Sequence, residues 1–555
     1  MSETAVPDSP SPADQAFPVL TAGQVARLAA RGRARTVAVG EVLVESGERP
    51  LHFMVVTAGQ VEIIRPSGGG ETVAVLGAGQ FTGEINMLSG RRSVVRIRVR
   101  ESGAVIEIDR DPLLALVQTD SELSELLLRA FVLRRAEIVA RGLSDVVLVG
   151  SSHSPGTLRV KEFLTRNGHP YAYLDVDHDP SVQDLLDHFQ IGMRDVPVLI
   201  CRGTHALRNP DNQQIAECLG FNDAIDHTQV RDLVIVGAGP SGLAAAVYGA
   251  SEGLGVLVLE ADAPGGQAGA SSKIENYLGF PTGISGQDLT DRAYTQAQKF
   301  GAQVMVAKGG RRLACERKPY AVDIDGGLRV QARTVIIATG AKYRRLPLSD
   351  AQRFEGAGLY HGATHVEAQL CGGEEAIVVG GGNSAGQAAV FLAQTARHVH
   401  VLIRAKGLAD SMSRYLIRRI EESPNITLRP CTEITALEGR GCLERVTWRE
   451  AATGTVETHA IAHVFVMTGA TPNTAWLDGC VVMDSKGFIK TGPDLSPDDL
   501  HGARWPLARL PYLLETSLPG VFAVGDVRAG NLKRVASAVG EGATAVALVH
   551  QALRQ

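Results

Sequence analysis

Residues 17–110 alternate apolar and polar positions with period two, broken by glycines, as in EVLVESGE, HFMVVTAGQVEII, ETVAVLGAGQF and SVVRIRVRESGAVIEIDR. Short strands at such spacing predict an antiparallel sandwich or barrel. The period then changes. In SELLLRAFVLRRAEIVAR (124–141) the apolar residues recur at helical spacing, with Arg129, Arg134, Arg135 and Arg141 on other faces. DVVLVGSSHSPGTLRVKEFLTRNGHPYAYLDVD (145–177) reads as strand, loop, amphipathic helix and strand, and DVPVLI (195–200) as a further strand. Beyond residue 230 the pattern becomes apolar strand, glycine turn, alanine-rich helix and second strand, and it occurs twice (231–261 and 376–404). The first sixteen residues, polar and rich in Pro and Ser, predict a disordered tail without signal-peptide character.

Composition narrows the classes. A chain of 555 residues suggests roughly three to four domains. A net charge of −5 gives no basic footprint, so no nucleic-acid partner is expected. No apolar run reaches about 18 residues, so no membrane span is expected. The seven cysteines (201, 218, 315, 371, 431, 442, 480) have neither Cys-x-x-Cys nor zinc-ligand spacing. That predicts a reducing, cytoplasmic setting, no metal site, and Cys201 and Cys218 as filler of core space.

The motif that carries most chemistry is Gly237-x-Gly239-Pro240-Ser241-Gly242, between the strand Leu233–Val236 and its helix. Its glycines permit a tight turn and the close approach of a pyrophosphate to a helix N-terminus. Glu260 ends the second strand, roughly twenty residues on, where an acid bonds the adenosine ribose. The second copy reads Gly380-x-Gly382-Asn383-Ser384-Ala385. Its second strand ends in Ile403-Arg404, with Lys406 nearby and no acid, so a 2′-phosphate and hence NADPH is favoured. Two dinucleotide units suit a flavoprotein whose flavin is reduced by a nicotinamide.

Residues 230–555 resemble low-molecular-weight thioredoxin reductase. GGQAGASSKIENYLGFP (265–281) is similar to its flavin loop, which assigns Gly266, Gln267 and Asn276. TVIIATGA (334–341), holding Thr339 and Gly340, and FVMTGATPNT (465–474) match its paired boundary motifs. GVFAVGDVRAGNLKRVASAVGEG (520–542) matches its last flavin motif, with Gly525, Asp526 on the ribityl chain, and Val535 and Ala536 opening the final helix. The resemblance implies FAD, NADPH and a homodimer. FTGEINMLSGRRSVVR (81–96) resembles the phosphate cassette of cyclic-nucleotide-binding domains. It implies cAMP or cGMP on Gly83, Glu84, Arg92 and Ser93, with Arg91 an equal alternative to Arg92. Residues 145–200 resemble a thioredoxin fold with Pro197 as its cis-proline, but Ser154-Pro155-Gly156-Thr157 stand where its dithiol should be.

The fold expectation is a multidomain chain: a tail (1–16), an N-terminal β jelly-roll of cyclic-nucleotide-binding type (17–142), and a central α/β thioredoxin-like domain without redox cysteines (143–226). A C-terminal α/β flavoprotein of two Rossmann-like domains follows, FAD (229–346 and 476–555) and NADPH (347–475). The departure lies at 361–364. Where the reductase resemblance places a Cys-x-x-Cys after a tyrosine, this chain has Tyr360 followed by His361-Gly362-Ala363-Thr364. Hydride transfer from NADPH to flavin needs placement rather than those thiols. The expected acceptor is external: ferredoxin, a quinone, oxygen or a thioredoxin-like protein. His361, as a proton donor, and Cys371, as a lone thiol, are the candidate catalytic residues. The alternatives are disulfide reduction by another cysteine route, ferredoxin–NADP reduction, and a redox or nucleotide sensor.

Overall fold

The computed structural model describes residues 12–49, 51–65, 70–141, 146–152, 154–179, 195–477 and 479–555, with single residues between 182 and 192. The chain divides into two compact units. One is formed by residues up to 149, 168–225 and 298–303, the other by 150–167, 226–297 and 304–555. The expectation of a tail through residue 16 is corrected at its end, where Pro12–Ala16 form a helix; residues 1–11 lie outside the described residues.

In the first unit the period-two stretches become a five-stranded sheet. Arg96–Ile108 pairs antiparallel with Arg33–Val37, Val42–Val44 and Phe53–Ile64, and Phe53–Ile64 also pairs with Thr72–Leu76. The helix predicted from Ser124 starts earlier, at Ser121, because Asp120 caps it by accepting the Leu123 N–H at 3.0 Å. The helix is Ser121–Ala140 and lays Phe131 against Phe53 and Phe81, all three rings fully buried. Burial of each such ring stabilises the unit by about 2–3 kcal/mol. A second sheet places the strand Val146–Gly150 between Ala172–Asp175 and Val198–Cys201, with His205–Arg208 at the edge. The Val196–Pro197 bond is cis.

In the second unit two sheets dominate, one with parallel strands at its centre and an antiparallel pair, Gly310–Ala314 and Tyr320–Ile324, at one side, the other parallel. In the first, Val230–Val236 lies between Val256–Leu259 and Leu328–Ile337, and Val521–Ala523 pairs with the far side of Leu328–Ile337. Val256–Leu259, Val521–Ala523 and the last four residues of Val230–Val236 and Leu328–Ile337 are buried throughout, as continuous Val/Ile/Leu runs require when both faces are covered. In the other, Glu375–Val379 lies between His398–Leu402 and His463–Val466. The reducing setting expected from cysteine spacing did not point to a cross-link, and the structure holds one. Cys315, just past the strand Gly310–Ala314, forms a disulfide with Cys480. Neither cysteine stands near the other in sequence, so spacing gave no sign of the bond. Among the described residues no helix is long and apolar enough to cross a membrane.

Candidate functional site

The register of the parallel strands around Val230–Val236 brings four strand ends to one edge. Val236 is level with Leu259 and with Ile337, and Ile337 with Ala523. The next residues, Gly237, Glu260, Ala338 and Val524, therefore meet at one crevice, the place where open α/β sheets bind ligands. Gly237 sits at φ +107°, and a side chain there would meet the Ala338 carbonyl oxygen at 2.3 Å. A Cβ at Gly242 would meet the Gly237 carbonyl oxygen at 1.9 Å. Gly239 differs: a Cβ there would meet only the Gly266 Cα, at 4.0 Å. The turn is thus closed on the protein side at Gly237 and Gly242 and open at Gly239. Helix Pro240–Ser251 starts there without a side-chain cap, leaving its first N–H groups to a ligand.

The other predicted residues surround this turn. Glu260 is buried and accepts the Ala238 N–H at 2.7 Å and the Asp262 N–H at 3.0 Å. Burial raises its pKa, and the two N–H donors oppose that shift. Gly525 folds against Ser241, whose Oγ would lie 2.6 Å from a Cβ on that glycine. Asp526 follows half-buried, its pKa raised by burial. Val535 and Ala536 open the helix Val535–Leu553, which also lacks a side-chain cap. The Gln267 side chain donates to the Ala341 carbonyl. Thr339 donates to the Asn473 carbonyl at 2.8 Å and Asn473 returns a bond to the Thr339 carbonyl at 2.9 Å, pinning the two boundary motifs beside Gly340. Asn276 lies exposed on its loop. Two uncapped helices and one open glycine fit a dinucleotide whose pyrophosphate lies over Gly239.

The second turn repeats the geometry. Val379 is level with Leu402 and Val466, and Gly380, at φ +145°, closes to where a Cβ would meet the Met467 carbonyl oxygen at 2.5 Å. Gly382 opens onto free space and caps helix Asn383–Leu392 by backbone alone. Asn383 Oδ1 accepts the Ser413 N–H at 2.7 Å, and Ala385 is buried. Arg404 and Lys406 are exposed, with no carboxylate partner among the described residues. Ser384 shares a hydrogen bond with Tyr343, a phenol whose pKa burial raises and which also feels the Asp526 carboxylate. Tyr343 thus lies between Ser384 of the second turn and Asp526, whose neighbour Gly525 packs on Ser241 of the first.

The segment 361–364 lies against the flavin-type loop, since Ala363 and Ser271 form a parallel bridge. Thr364 serves as N-cap of the helix His365–Leu370. Its Oγ1 accepts the Val366 N–H, and Glu367 accepts the Thr364 N–H at 2.8 Å. His361 Nε2 is 3.6 Å from Glu355, and its Nδ1 is buried without a partner. Cys371 is corrected as a catalytic candidate. It is fully buried in the apolar core of this sheet and its helices, donates to the Ala368 carbonyl at 3.5 Å, and burial pushes its thiol up to about 11. A thiol held protonated out of solvent does not exchange with a disulfide.

In the first unit Gly83, Glu84 and Ser93 line one pocket with Arg134, against apolar walls that include Phe17, Leu51, Val73 and Met87. Arg92 is corrected as a pocket residue. Its guanidinium donates to the Gly47 carbonyl at 3.1 Å, and its side chain lies against Gly220. Arg91 stacks over Phe221 at 4.5 Å. The cation that faces the pocket is Arg134, buried, bonded to the Gly83 and Ala16 carbonyls, with one nitrogen unpartnered. Burial pulls it down to about 9. The pocket thus holds the glutamate of the cassette resemblance without its arginine.

Tyr343 carries no local signal, and Arg134, expected on a face away from the apolar one, is buried at the pocket. Arg166 pairs with Asp262 at 3.0 Å and donates to the Gly266 carbonyl at 3.0 Å, which only the folded chain brings together. Glu367 was legible, because Thr-x-x-Glu before an apolar run is a capping box.

Comparison with known proteins agrees with this geometry. Residues 34–120 match the cyclic nucleotide-binding domain. NADPH-dependent thioredoxin reductase 3 of Arabidopsis thaliana is 32% identical over 323 residues, 57% of this chain and 57% of its own length. The chain therefore spans little more than half of that relative. Thioredoxin reductase of Bacillus subtilis is 30% identical over 57% of this chain and 93% of its own length. The crystal structure of T. acidophilum thioredoxin reductase superposes with a TM-score of 0.52 at 27% identity, over 59% of this chain and 99% of that one. Residues 231–542, more than half of the chain, match the family described as pyridine nucleotide-disulphide oxidoreductase, and the chain belongs to that family.

Proposed function

We propose that the chain is an FAD-dependent NADPH oxidoreductase that delivers electrons to an external acceptor without a dithiol at 361–364. One observation carries the reading: two glycine turns, each opening a helix without a side-chain cap at the carboxyl ends of parallel strands, lie in one unit. When bound, NADPH supplies a hydride and FAD accepts it. The helices starting at Pro240 and Val535 would hold FAD, with Glu260 toward its ribose and Asp526 toward the ribityl chain. The helix starting at Asn383 would hold NADPH, with Arg404 and Lys406 toward the 2′-phosphate. The segment 361–364, bridged to the flavin-type loop through Ala363 and Ser271, carries no sulfur, and Thr364 is committed to its helix.

The test is the reduction of the flavin-loaded protein by NADPH against NADH. The expected result is a clear preference for NADPH that falls roughly tenfold in Arg404→Glu, the scale of one lost charge-assisted bond. Equal rates with both nucleotides in wild type would overturn the NADPH assignment.

Control by a cyclic nucleotide is part of this reading through Gly83, Glu84 and Ser93. With Arg92 committed to Gly47, the phosphate would fall to Arg134. Calorimetry with cAMP and cGMP tests it: Arg92→Gln is expected to leave binding unchanged within about twofold, as for a residue outside the contact set. A loss of binding in that variant would restore the cassette arginine.

A further inference from the structure

The central module lacks sulfur at 154–157, yet two of its other cysteines meet. Cys201 is the last residue of the buried strand Val198–Cys201, and Cys218 lies on the helix Asn212–Leu219. Their thiols share a side-chain hydrogen bond. Cys201 is fully buried and Cys218 half-exposed, so one sulfur of the pair reaches solvent. The surroundings are cationic. Arg202, directly after Cys201, is held at φ +56°, a conformation uncommon for a long side chain, and it hydrogen-bonds the Cys218 sulfur. Arg92 faces the same thiol from Gly220, the C-cap of the helix. The bond from Cys201, then the charges of Arg202 and Arg92, outweigh burial and pull the Cys218 thiol down to about 7. A thiol with a large thiolate fraction, solvent access and a neighbouring sulfur has the makings of a redox site.

We propose that Cys201 and Cys218 form a redox dithiol, with Cys218 attacking and Cys201 resolving, that a hydroperoxide oxidises to a disulfide. The Cys218 thiolate attacks one peroxide oxygen. The O–O bond breaks, the leaving oxygen takes a proton and departs as an alcohol, or as water if the oxidant is hydrogen peroxide. Cys218 is then a sulfenic acid. The Cys201 sulfur attacks it, the S–S bond forms, the S–O bond breaks, and the hydroxyl leaves with the Cys201 proton as water. Two electrons pass from the sulfurs to the peroxide. The thiolate that Arg92 and Arg202 face disappears in the process. Since Arg92 also holds the Gly47 carbonyl, oxidation alters a contact of the cassette segment.

The experiment treats the full-length protein with a small excess of tert-butyl hydroperoxide, blocks free thiols by alkylation, and maps peptides by mass spectrometry. A peptide joining Cys201 to Cys218, lost on treatment with dithiothreitol, is the expected result. In Cys201→Ser, Cys218 should instead react with dimedone as a sulfenic acid. Arg202→Gln should slow alkylation of Cys218 at neutral pH by roughly two- to threefold, a partial loss of thiolate, because the bond from Cys201 and the Arg92 charge remain. Alkylation of both cysteines in the peroxide-treated wild type, or a dimedone adduct that persists there on Cys218, overturns the proposal.

Discussion

The glycines of the first turn separate folding from binding. A Cβ at Gly242 would stand 1.9 Å from a carbonyl oxygen of its own turn, whereas one at Gly239 meets only the Cα of Gly266, at 4.0 Å. Gly242→Ala should therefore destabilise the unit by about 1–3 kcal/mol, the usual cost of overpacking. Gly239→Ala should fold with a melting temperature close to wild type and yet lose flavin, because its methyl enters the space left for the pyrophosphate. Thermal melts of the apoproteins, paired with flavin absorbance of the purified holoproteins, distinguish the two. At this scale the sequence was informative where chemistry is local. Both glycine turns lie at strand ends, Glu260 follows its strand directly, and Arg404 and Lys406 are exposed just past theirs. It was uninformative where orientation decides. Arg92 sits beside the pocket residue Ser93 in sequence, but its guanidinium turns to Gly47 and Gly220, and Arg134 lines the pocket instead. Cys371 was the nearest thiol in sequence to 361–364, and only packing shows it in a core.

Between elements, a pair of carboxyl groups links the helix Pro155–Arg166 to the helix that follows the 361–364 turn. Glu162 hydrogen-bonds Glu367, and burial, then that bond and the Glu367 charge, push it up to about 9, against the opposing pull of Arg166. Asp262 adds to the upward shift. The folded pKa lies above the ordinary value of 4.5, so the folded state holds a proton that the unfolded chain releases. Its contribution is full at acid pH and is lost as pH rises toward about 9. Urea unfolding across that window should show stability declining in wild type and a flatter profile in Glu162→Gln. A decline of equal steepness in the variant would exclude the pair as its source. The disulfide acts at the same scale. Cys315 and Cys480 close a loop with a sequence separation of 165, and chain entropy alone assigns such a closure about 5 kcal/mol. Cys480→Ser should lower the denaturation midpoint of the oxidised protein to that of the reduced one. These elements were predictable one at a time from periodicity and capping signals, but contacts between distant helices and strands leave no periodic trace.

For the molecule as a whole, the two dinucleotide turns matter more than any single residue, because the proposed path from NADPH to flavin needs both. Tyr343 bonds Ser384 of the second turn and feels the Asp526 charge. What the chain lacks is sulfur at 361–364, with Thr364 taken up in a capping box and Cys371 in the core. The measurement that tests this most directly is anaerobic stopped-flow reduction of the flavin-loaded protein by NADPH, followed by mixing with oxidised thioredoxin, with flavin absorbance as the signal. The account predicts rapid bleaching by NADPH and no reoxidation by the disulfide, while a quinone, a ferredoxin or oxygen restores the colour. Rapid reoxidation by thioredoxin would contradict it and would assign the electrons to a cysteine pair elsewhere in the chain.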